Sequence, residues 1–160
     1  MCRVLGITNF DDARHRDIVA RFCELARSGV VMAEDPPGHE DGWGLAFYEQ
    51  GRLVVHKSGA SLLEETDRVF GILSAAKTSP VMILHLRHSA WATTSTPRQA
   101  HPVPRDNPVF FPHGVVADDQ NLMPDIDLPG LNADARDPEV LFDLFMSGKT
   151  GDLGRAFLDT

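Results

Sequence analysis

The chain has 160 residues, 42% of them hydrophobic, which suits one compact domain with a real core and leaves a second domain unexpected. Its 23 acidic side chains outnumber 15 basic ones, and the formal charge of −8 opposes long contact with nucleic acid or an anionic membrane. The longest apolar runs, residues 29–33 and 81–84, fall far short of a membrane span, and the N-terminus lacks the apolar core of a secretion signal, so the expected address is cytoplasmic, with reduced thiols.

Cys2 to Thr8 predicts a short strand, and Asn9 or Asp11 can cap the helix that follows. That helix carries Ile18, Phe22, Leu25 and Ala26 on one stripe and stops at Gly29, with Cys23 as a buried helix residue. Trp43 to Glu49 and Arg52 to Lys57 flank Gln50-Gly51, which predicts a tight hairpin. Ser61-Leu62-Leu63-Glu64 has capping-box spacing and predicts a second helix with Val69, Phe70, Leu73 and Ala76 facing inward. Val81 to Arg87 is densely apolar and fits a central strand. Trp91 to Asn107, rich in Thr and Pro, predicts a long loop. The strand expected over Val109 to Val116 contains Pro112, which argues against a central place for it, and Asp118 to Asp134 reads as irregular. Asp137-Pro138 opens a last helix with Val140, Leu141, Leu144 and Phe145 in period. This order predicts an α+β fold with helices on one or both faces of a mixed or antiparallel sheet.

Cys2 is the leading candidate for chemistry. If Met1 is trimmed, Cys2 carries a thiol and a free α-amine on one residue, with ordinary pKa values near ~8.5 and ~8, so the amine can act as base for its own thiol. Each candidate also has a plain structural reading. Cys2 is a small apolar strand residue, Arg87 a surface charge at a strand end, Asp137 a helix cap, and Asp41-Gly42 an ordinary turn. His85, His101 and His113 lack the close ligand spacing of a zinc motif and read as structural histidines, so no metal is expected.

Four segments, taken in order, carry a family resemblance. They are Met1-Cys2-Arg3-Val4-Leu5-Gly6; His39-Glu40-Asp41-Gly42-Trp43-Gly44-Leu45-Ala46-Phe47-Tyr48; His85-Leu86-Arg87-His88-Ser89-Ala90 running on to His101-Pro102; and Arg136-Asp137-Pro138-Glu139. Together they resemble the glutaminase domain of class II glutamine amidotransferases, within the N-terminal nucleophile hydrolases. The small stand-alone subgroup that includes the ergothioneine-pathway hydrolase is the most similar. The resemblance implies an α-β-β-α sandwich over residues 1–160. Family members are usually longer, so the chain reads as a shortened version or a fragment.

The resemblance also implies site roles. Cys2 is the nucleophile that forms a thioester with the side-chain amide of glutamine or a γ-glutamyl conjugate. Arg87 forks onto the substrate α-carboxylate, as a rigid guanidinium can, and Asp137 accepts the α-ammonium. Gly42, Gly44 and Trp43 stand in the glycine-rich segment that approaches the ligand, and His113 stands beside the substrate. The backbone amide of Gly114 serves the oxyanion. No metal or organic cofactor is implied, and ammonia, if used, passes to a partner protein.

The chain departs from the family pattern where a His-Asn-Gly triplet is usual. It has Phe111-Pro112-His113-Gly114-Val115, so either the asparagine is deleted or Gly114 stands in its place with Val115 where the glycine was, and loss of one oxyanion donor costs on the order of 3 kcal/mol in the transition state. Ala90, Ala92 and Gln99 also replace the usual Thr, Gly and Asn. These departures motivate the alternative of a catalytically impaired glutamine-binding or regulatory protein.

Overall fold

A computed structural model of the chain describes residues 2–31, 35–89, 95–105 and 108–111, with Glu139, Phe142 and Met146 further on. The fold is α+β. Its elements run β1 (Arg3–Asp11), α1 (Asp12–Cys23), α2 (Leu25–Ser28), β2 (Trp43–Glu49), β3 (Arg52–Ser58), α3 (Thr66–Ala76), β4 (Thr78–Leu86), β5 (Val103–Pro104) and β6 (Val109–Phe110). The first four strands form one sheet in the order β1-β4-β2-β3, antiparallel throughout, and β5 pairs with β6 as a separate ladder. The chain divides into two compact units, residues 1–113 and 114–160, and all of these elements lie in the first. In the second unit Glu139, Phe142 and Met146 are helical and Phe142 is buried.

The pleat sorts the sheet residues onto two faces. Leu5 and Ile7 of β1, Met82, Leu84 and Leu86 of β4, and Trp43, Leu45 and Phe47 of β2 share one face. There they pack with Val19, Phe22, Cys23 and Ala26 of the first helical pair and with Val69 and Leu73 of α3. The opposite face carries Val4 and Gly6 of β1, Ile83 and His85 of β4, and Gly44 of β2, as the registers Val4↔His85, Gly6↔Ile83 and Gly44↔His85 require. Segment 95–102 lies against this second face. Ser95 abuts Gly59, Lys57 donates to the Arg98 carbonyl at 3.4 Å, and the His101 carbonyl sits directly over Gly44.

Several sequence expectations hold and others shift for identifiable reasons. Asp11 caps α1, its carboxylate accepting the Arg14 N–H at 2.9 Å, and Cys23 is buried. Gln50 and Gly51 take φ values of 50° and 76°, as a two-residue hairpin turn with matching twist requires. Asn9 does no capping. It adopts a left-handed φ of 51°, which re-aims the strand so that Phe10 enters the core. The helix expected to run to Gly29 is interrupted at Glu24, and Ile18 is 50% exposed. Val19, Phe22, Cys23 and Ala26 follow i, i+3, i+4, i+7 and make the better buried stripe.

The second helix begins at Thr66, five residues after Ser61. The Ser61 hydroxyl accepts the Leu63 N–H at 3.3 Å and the Ser61 carbonyl accepts the Glu64 N–H at 3.1 Å, so this stretch is a turn that precedes the helix. Its inward side holds as expected, with Val69 and Leu73 fully buried. β4 is central and starts three residues before Val81. The expected loop over 91–107 contains the short β5, and among the described residues of the following strand, 109–111, Val109–Phe110 is ladder. Residues 112–134, Asp137, Pro138, Val140, Leu141, Leu144 and Phe145 lie outside the described residues.

Candidate functional site

Strand order decides which motif residues meet. Arg3 faces Leu86 on one side of β4 and Trp43 faces Leu86 on the other. One step beyond that row come Cys2, Arg87 and Gly42, at one end of three adjacent strands. Carrying the pleat by that step puts Cys2 and Arg87 on the face of His85 and Gly44. Main-chain bonds fix the row: the Arg87 N–H donates to the Gly42 carbonyl at 2.8 Å and the Asp41 N–H to the Arg87 carbonyl at 3.2 Å. The Cys2 thiol is partly exposed and donates to the His88 carbonyl at 3.7 Å.

The guanidinium of Arg87 is held at two points. It donates through Nη1 to the Asp41 carbonyl at 3.2 Å and through Nη2 to the Ser89 hydroxyl at 3.3 Å, which takes two of its five N–H donors. The Asp41 carboxylate accepts the Ser89 N–H at 2.7 Å and lies 3.9 Å from His88 Nδ1, while the Asp35 carboxylate lies 3.7 Å from His88 Nε2. His39 is fully buried behind His88, with ring centroids 5.8 Å apart, and its Nδ1–H donates to the Leu25 carbonyl at 3.1 Å.

Trp43 is placed by the same parity, and its ring points to the other face. It is fully buried in the core, its indole N–H donates to Glu65 at 2.9 Å, and the Arg68 guanidinium covers the ring at 5.4 Å. The Ser58 side chain, assisted by Arg68 and Trp43, holds the Glu65 carboxyl below its usual range. Gly44, the next residue, marks the face where the backbone approach occurs. A Cβ there would lie 1.6 Å from the His101 carbonyl oxygen.

Above Gly44 the rings of His85 and His101 lie 4.8 Å apart. Burial pushes the His101 imidazole down to about 4, with Lys57 and Arg87 adding to the effect, so the ring is neutral at pH 7. Among the described residues no group of three or more His, Cys, Asp or Glu side chains is arranged to hold a metal ion. No described helix is long and apolar enough to cross a membrane.

The structure therefore brings Cys2, Gly42 and Arg87 together and turns Trp43 into the core. His113, Gly114 and Asp137 lie outside the described residues. Asp35, Asp41, His88 and Ser89 join the site without having been singled out for it. Asp41-Gly42 reads locally as a turn, and only the β2–β4 pairing shows what the aspartate faces. A cleft of about 560 Å³ opens at the far end of the sheet, lined by residues such as Asn9, Arg14, Tyr48 and Gln50. Its Asp11 and Ser79 side chains are spent on local backbone bonds, and it is remote from Cys2. The chain matches no family model and no curated protein sequence.

Proposed function

We propose that the chain is a class II amidotransferase-like N-terminal nucleophile hydrolase that cleaves the side-chain amide of glutamine or a γ-glutamyl conjugate in a reducing cytoplasm. The observation that carries this reading is the shared strand-end row of Cys2, Gly42 and Arg87. It sets a sulfur nucleophile beside a guanidinium that can receive an α-carboxylate. Segment 95–102, which lies against the sheet face opposite the described helices and leads into the separate β5–β6 ladder, supports the layered α-β-β-α architecture.

In this reading Cys2 becomes the first residue, and its α-amine takes the thiol proton as sulfur attacks the amide carbon. Collapse of the tetrahedral intermediate forms the thioester, and the proton leaves with ammonia or the amine. Water then hydrolyses the thioester and restores the thiol. Arg87 positions the substrate, and Asp137 and Gly114 are the proposed ammonium acceptor and oxyanion donor. Ammonia, if used, passes to a partner protein.

The test is to confirm the N-terminus by mass spectrometry and then assay glutamine and γ-glutamyl amides with wild-type, Cys2→Ala and Arg87→Lys protein. Turnover lost in Cys2→Ala, with KM raised in Arg87→Lys, is the expected result. Binding that needs Arg87 but yields no product would replace the hydrolase by the impaired glutamine-binding protein that the missing asparagine suggests. Absence of both turnover and binding would reject the family reading.

A further inference from the structure

We propose that Asp41 is a positioning residue that holds the Arg87 guanidinium in place for the substrate carboxylate, an inference that rests on the hydrolase reading above. Asp41 meets three consecutive residues beyond β4. Its N–H and carbonyl both bond Arg87, its carboxylate accepts the Ser89 N–H at 2.7 Å, and the same carboxylate faces His88 Nδ1 at 3.9 Å. The main-chain contacts would survive any side chain at position 41. The carboxylate contacts would not, and they act on Arg87 through Ser89.

The chain of cause has two links. The carboxylate fixes the Ser89 backbone with a charge-assisted bond. The Ser89 hydroxyl, held by that backbone, accepts from Arg87 Nη2 at 3.3 Å and supplies one of the two described anchors of the guanidinium. His88, whose carbonyl accepts the Cys2 thiol, lies between Arg87 and Ser89 and faces the same carboxylate, so one carboxylate bears on both the cation and the thiol's acceptor. A guanidinium pinned by two oxygens loses less orientational freedom when it grips a carboxylate, which is where a positioning residue acts.

Asp41→Ala removes the acceptor, whereas Asp41→Asn keeps an amide oxygen for the Ser89 N–H and removes only the charge beside His88. In wild-type background, Asp41→Ala should raise KM for glutamine by about tenfold with kcat within about threefold, and Asp41→Asn should recover most of the loss. Single-residue amide exchange at Ser89 should quicken in Asp41→Ala and stay protected in Asp41→Asn. Normal KM in Asp41→Ala, or an Asn variant as impaired as the Ala variant, would overturn the positioning role while wild-type turnover keeps the hydrolase reading intact. A wild-type protein that neither turns over nor binds glutamine would overturn the hydrolase reading and this role with it.

Discussion

Gly44→Ala isolates the tightest backbone approach in the described structure. The added methyl would sit 1.6 Å from the His101 carbonyl oxygen, 2.7 Å from its carbon and 3.0 Å from Pro102 Cδ. Ordinary non-bonded separations are roughly 3.5 Å, so about 2 Å of movement is needed. The obstacle is main chain and cannot rotate away. Either segment 95–102 lifts off the sheet or β2 shifts where it pairs with both β3 and β4. Overpacking typically costs about 1–3 kcal/mol, and a backbone obstacle puts this case at the upper end, about 3 kcal/mol. For a chain of this length that lowers Tm by roughly 6–12 °C. Gly6→Ala supplies the control, because nothing lies within 4 Å of a Cβ at Gly6, and an alanine there should be neutral or stabilising by up to about 1 kcal/mol. Thermal melts of both variants at pH 7 decide the matter. A Gly44→Ala protein melting within about 2 °C of wild type, or a Gly6→Ala protein losing as much, would refute the proposed packing of His101 on β2.

Three further outcomes are expected. The native His101 pKa of about 4 lies below its ordinary value of 6.5, so the unfolded chain takes up the proton first. This contribution is complete above pH 6.5, is lost as pH falls from 6.5 to 4, and amounts to about 3 kcal/mol at most, so urea unfolding across that range should flatten in His101→Asn. Trp43→Phe keeps most of the buried ring but strips Glu65 of its indole donor, which should cost about 1–3 kcal/mol in chemical denaturation and leave KM for glutamine unchanged. Burial, with Glu24 adding, pushes the Cys23 thiol up to about 12, whereas Cys2 is partly exposed, so native iodoacetamide treatment should add one label by mass spectrometry and denaturation a second.

The parts of the fold legible in the sequence are those set by neighbours in the chain. Gln50-Gly51 encodes its turn locally, Asp11 caps the helix that begins at the next residue, and the apolar density of Val81 to Leu86 marks the strand buried between β1 and β2. The misread parts are those decided by packing. Ile18 and Val19 are chemically equivalent as helix stripes, and only contact with the sheet selects Val19. Ser61 has the right spacing for a helix cap, yet its hydroxyl turns to Leu63 while Leu62 is drawn fully into the core. At the candidate site, Cys2 and Arg87 are visible as motif residues, but the service of Asp41 to Ser89 spans 48 residues and depends on β2–β4 pairing that no local pattern displays.

Register is therefore the physical link between this sequence and any chemistry at Cys2. Strand side chains alternate with period two, so a one-residue slip of β1 against β4 would carry Cys2 to the helix-packed face and away from Arg87. The apolar pattern of β1 resists that slip. In the observed register Leu5 and Ile7 pack against the core while Val4, Gly6 and Thr8 stay exposed. The slipped strand would expose Leu5 and Ile7, which are partly buried and so lose part of the about 1.5–3 kcal/mol of a fully buried aliphatic side chain, and would offer the core one valine, one glycine and one threonine in exchange. That exchange cannot compensate. Two aliphatic residues outside the site thus fix the side of the sheet on which the sulfur emerges, and the same alternation that brings Cys2 beside His88 and Arg87 turns Trp43 into the core and leaves Gly44 beneath His101.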